Sequence, residues 1–309
     1  MYHIIVNPIA GRGRIMERLA LLTRPLDARG MAYTVYQTRW ALDARDYARE
    51  VCLAGSRGIV GIGGDGTLQE VATGMADAFP EDKIPVPLGI FPAGSGNDFV
   101  MTQMGGKKRA LAMYKAKQLP QAAEALADAM HRNRTRPVDV PLVNGTAYMN
   151  IGNLGLDARI VQNAIALKPR WGRYAYLAAV YKSIARHRNL PLVIKANGET
   201  FTGEYTLVAV CNGQYYGGGM HVAPTASITD GKFTLCLVEA MSRPKTMVIF
   251  PALMLAVHPR LRAVRFIACD EVRITLPAGE EILCLDGNLY PSTGELHFKV
   301  RPSTLELFQ

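Results

Sequence analysis

Two long stretches of this 309-residue chain contain no acidic residue, and nowhere is there a Cys-x-x-Cys pair, an internal repeat or a low-complexity linker. The five cysteines (Cys52, Cys211, Cys236, Cys269 and Cys284) are scattered and odd in number. That excludes a zinc ribbon and a disulfide scaffold and suits a reducing cytoplasm. The longest apolar run, 247–257, is interrupted by Pro251 and falls far short of the roughly 20 residues that cross a bilayer. The first residues, MYHIIVNP, have neither the basic start nor the apolar length of a secretory leader. With 49% apolar and 20% charged residues, the composition is globular, long for one domain and comfortable for two.

The formal net charge is +9, and its placement matters more than its size. Between Asp157 and Glu199 the charged residues are all basic: Arg159, Lys168, Arg170, Arg173, Lys182, Arg186, Arg188 and Lys195. From Ala240 to Cys269 acids are absent again, with Arg243, Lys245, Arg260, Arg262 and Arg265 present. One reading is a solvated basic face; the other is attraction to an anionic surface such as a membrane leaflet. No nucleic-acid recognition motif accompanies the charge.

Residues 2–93 alternate short apolar strands with segments of helical periodicity, which predicts an α/β domain with a parallel sheet. Near Arg136-Pro137 the rhythm changes. Apart from one helical stretch around 173–189, short strands follow at hairpin spacing, predicting an antiparallel β-sandwich. The expected division is 1–137, 138–290, and a final segment 291–309 that returns to the first domain.

The chemistry concentrates at strand ends. Gly63-Gly64-Asp65-Gly66-Thr67 follows the third strand and opens a helix, where free backbone N–H groups and the helix dipole favour phosphate. It is not a Walker A loop, because no Gly-Lys-Ser/Thr follows. Asp65 would repel phosphate unless a cation such as Mg²⁺ lies between them; alternatively it caps the helix. A second turn, Gly94-Ser95-Gly96-Asn97-Asp98, ends the fourth strand. Ser95 can donate to phosphate, and Asp98 can hold a basic residue or a water. A third loop, Asn7-Pro8-Ile9-Ala10-Gly11, ends the first strand with Arg12 and Arg14 nearby. Three loops at the same ends of parallel strands predict one shared crevice.

VNPIAG, GGDGTLQE and PAGSGNDF resemble the motifs of the diacylglycerol kinase catalytic family, which is related to sphingosine and ceramide kinases. MNIGNLGLDARIV, CNGQYYGGGMHVAPTASITDGKFTLCLV and CLDGN are similar to its second-domain signatures, in order. The resemblance implies MgATP as donor and a lipid hydroxyl as acceptor, met transiently at the inner membrane face. It implies that Asn7, Pro8, Ile9, Ala10, Gly11, Thr38, Gly64, Asp65, Gly66, Thr67, Leu68, Gln69, Glu70 and Ser95 contact ATP. It also implies a structural Mg²⁺ at Ser227, Asp230 and Lys232, where the residues alone read equally as a hairpin turn. Edge strands of the second domain are candidates for pairing two copies.

The chain departs from the family at one position. The family's late motif ends in a glutamate that serves as general base, and here Asn288 stands there, with no titratable group. Three explanations compete: Asp286 or Asp65 is the base; a carboxylate such as Glu295 reaches in; or the chain binds nucleotide and lipid while turning over poorly. On the last view, Asn288→Glu should raise the rate, because the missing base would limit turnover. The Gly-Gly-Asp-Gly-Thr element is shared with NAD kinases, but the triple-glycine segment argues against a soluble acceptor of that kind.

Overall fold

The computed structural model describes residues 1–13, 15–113, 115, 117–171, 174–254, 258 and 261–309. Arg14, Arg173 and Arg260 lie outside the described residues, as does the side chain of Arg12.

The first domain alternates as its periodicity predicts: β1 (Tyr2–Val6), α1 (Ile15–Asp27), β2 (Tyr33–Gln37), α2 (Asp43–Leu53), β3 (Gly58–Gly63), α3 (Asp65–Ala78) and β4 (Leu88–Pro92). The four strands are parallel in the order β2-β1-β3-β4. Both sheet faces are covered, so the strands are apolar throughout. Ile5 and Ile59 pack with Ala48, Val71 and Met75 of α2 and α3. Their chain neighbours Ile4 and Val60 point the other way, onto Leu22 and Leu26 of α1 and Ala123 and Met130 of the later α6 (Leu119–His131). Each fully buried aliphatic side chain is worth about 1.5–3 kcal/mol.

Between β4 and the second domain lie α4 (Asp98–Gln103), α5 (Lys107–Met113) and α6, none of which the hydrophobic rhythm announced. A hairpin follows, β5 (Thr135–Val143) and β6 (Thr146–Ala147). Asn144 and Gly145 turn it with φ of 46° and 85°, the left-handed pair that an Asn-Gly turn requires. Arg136-Pro137 falls inside β5 rather than between elements.

The second domain begins with β7 (Ile151–Gly155), then α7 (Leu156–Trp171) and α8 (Ala175–Arg186). Leu156, Ile160 and Ala164 of α7 pack on Val180 and Ile184 of α8. The antiparallel part comprises β8 (Leu190–Ala196), β9 (Glu199–Cys211), the small pair β10 (Tyr215–Tyr216) and β11 (Met220–His221), β12 (Phe233–Glu239), β13 (Val264–Cys269), β14 (Glu271–Thr275), β15 (Glu281–Leu285) and β16 (Asn288–Ser292). Helix α9 (Arg243–Met254) connects β12 to β13 and contacts α8. The inner faces share a core of Leu192, Ile194, Val208, Val210, Leu235, Ile274 and Phe298.

The last strand, β17 (Glu295–Phe308), belongs to both halves. Its beginning pairs with β14, residues from Phe298 to Phe308 follow β5, and Leu307 lies parallel to Leu88 of β4. The pairing breaks between Arg301 and Leu305, where Ser303 adopts φ 49°. The fully buried carboxylate of Asp139 holds this break: Oδ1 accepts the Ser303 N–H (2.8 Å) and Oδ2 that of Gly231 (2.8 Å). Removing it strands two N–H groups. Asp139→Ala is therefore expected to cost about 2–4 kcal/mol, read as a lower urea midpoint at unchanged m-value.

Candidate active site

The three strand-end loops meet through their backbones. Ala93 and Gly94 both donate to the carbonyl of Gly63 (2.8 and 3.0 Å). A Cβ on Gly94 would stand 2.4 Å from Cα of Gly64, so only glycine allows this approach. Asn97, at φ 56°, closes its loop by both accepting from Gly94 N–H (2.9 Å) and donating to Gly94 carbonyl (3.0 Å). From β1, Asn7 donates to the carbonyl of Ile62 through its backbone (3.1 Å) and to Thr67 Oγ1 through its amide (3.0 Å). Pro8, Ile9, Ala10 and Gly11 continue as the rim, with Ile9 exposed. Thr38 sits one strand over, its N–H on the Val6 carbonyl (2.9 Å), and Ser95 is exposed at the tip of its loop. Leu68 lines a small enclosed hollow beneath the loops with Gly61, Ile90 and Val100.

Asp65 opens α3 but does not cap it: Gly64 is the cap residue and no side-chain cap is made. The carboxylate turns instead to the neighbouring loop, accepting the N–H of Phe99 (3.1 Å) and of Asn97. Asp98 differs from its expected role. It holds no basic side chain; its buried oxygens accept the N–H groups of Gly219 (2.6 Å) and Gly218 (2.9 Å) from the second domain. Lys107 binds the same loop from outside, donating to the Gly219 carbonyl (3.2 Å). The triple glycine thus serves a carboxylate. Asp65 Oδ2 and Asp98 Oδ2 flank Gly96, 3.0 and 2.9 Å from where its Cβ would be.

These acids share one crevice, and their fields interact. Burial, then the charge of Asp98, pushes Asp65 up to about 7. Burial raises Asp286 to about 6, against the N–H groups of Met149 (2.6 Å), Ile151 (2.8 Å) and Asn150 (3.1 Å), which favour its charged form. Asp157 escaped notice as a site residue in the sequence. It is buried at the start of α7, raised to about 7 by that burial, and takes hydrogen bonds from Asn153 (2.6 Å) and the Tyr216 hydroxyl. The i,i+4 spacing of Asn153 and Asp157 was the available signal.

Asn288 is a donor in a directional network. Its amide nitrogen donates to the Gly66 carbonyl (3.0 Å) and to Gln69 Oε1 (2.7 Å). Tyr290 donates to the same Oε1 (3.0 Å), while Gln69 Nε2 is committed to the Ala147 carbonyl (2.7 Å). Gln69 is therefore fully buried between Ala147 on one side and Asn288 and Tyr290 on the other. Glu70 also turns away, accepting the free N–H groups of Leu42 and Ala44 at the start of α2. Glu295 does not reach in; it is exposed and paired with Arg273 (3.1 Å).

Among the described residues, no three His, Cys, Asp or Glu side chains cluster closely enough to hold a metal. The 227–232 loop satisfies itself locally: Ser227 Oγ accepts Thr229 N–H (3.3 Å), and Asp230 Oδ1 accepts Lys232 N–H (3.1 Å). Burial, and after it the nearby Asp230 charge, raises the Asp139 carboxyl, and Asp230 itself is an exposed carboxylate that could face a cation. Lys232 could serve only through its carbonyl.

Residues 1–143 match the diacylglycerol kinase catalytic domain, and residues 151–309 match the YegS C-terminal NAD kinase beta sandwich-like domain. The chain belongs to the diacylglycerol kinase catalytic-domain family. A diacylglycerol kinase of Bacillus subtilis is 31% identical over 237 residues, 76% of this chain and 73% of the relative. A diacylglycerol kinase of Mycobacterium tuberculosis is 26% identical over 293 residues, covering 93% and 86%. A crystal structure of a diacylglycerol kinase from Bacillus anthracis shares the fold, with a TM-score of 0.69 at 20% identity over 99% of this chain and 96% of that one. Family membership makes this protein a kinase of the lipid-kinase class.

Two outcomes follow from the crevice. A glutamate at 288 would face Gly66 carbonyl and Gln69 Oε1 with no hydrogen to give. Asn288→Glu is thus expected to lower both stability and any transfer rate, by roughly tenfold or more for the rate, in unfolding and turnover assays. Asp65 ionises near pH 7 when folded but near 3.8, as an ordinary aspartate does, when unfolded, so it costs stability increasingly from about pH 4 to 7. Asp65→Asn should therefore raise Tm relative to the parent more at pH 8 than at pH 5.

Proposed function

We propose that the protein transfers the γ-phosphoryl group of ATP to the hydroxyl of diacylglycerol or a similar lipid, as a step of phospholipid metabolism. The observation that carries this reading is the convergence of three backbone loops beside Asp65, in a crevice closed by the second domain. ATP arrives with its own Mg²⁺, which makes the phosphates compatible with Asp65 and Asp98. Backbone N–H groups around Gly64–Thr67 and the Ser95 loop take the phosphates; Asn7–Gly11 and Thr38 border the nucleoside. Residues 1–137 serve the nucleotide, 138–290 the lipid, and 291–309 rejoin the first domain. A structural Mg²⁺ is assigned to the Asp230 carboxylate with the carbonyls of Ser227 and Lys232.

Asp65 is the proposed base. Its ionisation near 7 suits proton acceptance at neutral pH. Asp286 is occupied by three N–H groups and acts as a positioning residue. One observation favours a second reading, a nucleotide- and lipid-binding relative with little turnover: Asn288 supplies a clamp where relatives of the resembled family carry an acid. General-base catalysis contributes about 10²- to 10⁴-fold, so its loss alone weakens transfer without abolishing it.

A panel of lipid acceptors with radiolabelled ATP tests the proposal. Label is expected in a diacylglycerol-like product, and Asp65→Ala should reduce it by roughly 10²-fold or more while ATP still binds. ATP binding with no labelled lipid from any acceptor would establish the second reading.

A further inference from the structure

The end of β2 carries an ordered aromatic series that finishes in solvent. Tyr36 of β2 lies face to face with Tyr47 of α2, with ring centroids 3.8 Å apart and planes 7° from parallel. The guanidinium of Arg39 lies over the Tyr36 ring (5.6 Å to the centroid) and over the Trp40 ring (4.1 Å). The buried carboxylate of Asp43 locks this order. It accepts the Tyr36 hydroxyl (2.8 Å) and the backbone N–H of Arg39 (2.7 Å), while Arg39 Nη2 donates to the Tyr36 hydroxyl (2.7 Å). At the far end, His3 Nδ1 hydrogen-bonds the Tyr47 hydroxyl (3.0 Å). Trp40 terminates the series and is 58% exposed. An indole steadied by a cation on one face, and otherwise open, is a preformed platform for a flat ring: little remains to be ordered when the ring arrives.

The platform stands at the sheet end that carries the three loops. Thr38 leaves β2 with its N–H on the Val6 carbonyl, so Trp40 follows beside the Asn7–Gly11 loop. In the order β2-β1-β3-β4 it lies two strand spacings, about 10 Å, from the Gly63–Thr67 loop. Glu70 fixes the two to each other. From the second turn of α3 it accepts the N–H groups of Leu42 and Ala44. Leu42 is held at a φ of 67°, a conformation that costs a non-glycine residue energy and persists where the surroundings impose it.

We propose that Trp40 stacks on the nucleobase of the bound nucleotide, which makes the Arg39-Trp40 rim the base subsite. The inference rests on the proposed use of ATP and adds where the base sits and how it is chosen. Phosphates at Gly64–Thr67 direct the other end of the nucleotide across β1 toward β2. Every base has a π-face, so stacking selects a nucleotide over bare phosphates without choosing adenine over guanine. Glu70 is a positioning residue for this subsite: it acts on the base through residues 40–44 rather than by contact.

Calorimetric titration of the full chain with MgATP, MgGTP and magnesium tripolyphosphate tests it. The two nucleotides are expected to bind within about threefold of each other and about tenfold tighter than tripolyphosphate. Trp40→Ala should weaken both nucleotides about tenfold and leave tripolyphosphate binding and thermal unfolding unchanged, while Trp40→Phe should retain most of the affinity. The chain has two tryptophans, so a Trp171→Phe background isolates Trp40 emission, which ATP should quench and tripolyphosphate should not. Unchanged nucleotide affinity in Trp40→Ala, or ATP binding no tighter than tripolyphosphate, would overturn the stack while leaving the phosphate loops in place. Equal weakening of tripolyphosphate would also overturn it, by making Trp40 a support of the loops. Failure of all three ligands to bind the parent protein would overturn the nucleotide reading itself and the stack with it.

Discussion

Buried carboxylates answered by backbone N–H groups from distant parts of the chain hold this protein in its working shape. An ionised acid out of water is costly unless hydrogen-bonded, so each one fixes a segment against it. Asp98 gathers Gly218 and Gly219 across the domain boundary, and Asp286 gathers 149–151. Asp139 ties the 227–232 loop to the break in the final strand. Asp65 joins two strand-end loops of the first domain. The crevice is thus assembled by the groups that make it negative. The same burial lifts Asp65, Asp157 and Asp286 toward neutrality, where a proton can be exchanged at physiological pH.

Asn288 shows how one atom type redirects such a network. Gln69 is oriented by its donation to Ala147, which leaves Oε1 facing β16 as an acceptor. An amide can answer it; a carboxylate cannot. Position 288 therefore contributes closure of the second domain onto the first turn of α3, and Gly66 is glycine because a Cβ there would lie 2.9 Å from Asn288 Oδ1. The glycines of the Gly-Gly-Asp-Gly-Thr element consequently answer to packing, each approached by a different neighbour: Thr67 at Gly63, Gly94 at Gly64 and Asn288 at Gly66.

Much of the fold was legible. The βα alternation up to Pro92, the Asn144-Gly145 turn and the late run of strands rest on local periodicity and turn chemistry, which act over a few residues. Helices α4–α6, α7 and α9 were not. Helices α4 and α5 are too short to build a pattern, and α9 is apolar with little periodicity. Segment α7 follows a glycine-rich strand without a stop signal the eye would trust, and takes its helical form by packing on α8. The site was legible as a set of loops, but Gln69 and Glu70 continue a motif whose later residues rotate off the crevice, because α3 turns successive side chains by about 100°.

Composition and local motif by themselves determined the two-part architecture, the gathering of glycine loops at the strand ends and the family. Tertiary structure alone decided what each acid does. Direction of a hydrogen bond, depth of burial and the field of a neighbouring carboxylate are properties of position in space. Residues 65, 98 and 286 are all aspartate in the sequence, yet only packing makes one a candidate base and the other two anchors for distant segments of the same chain.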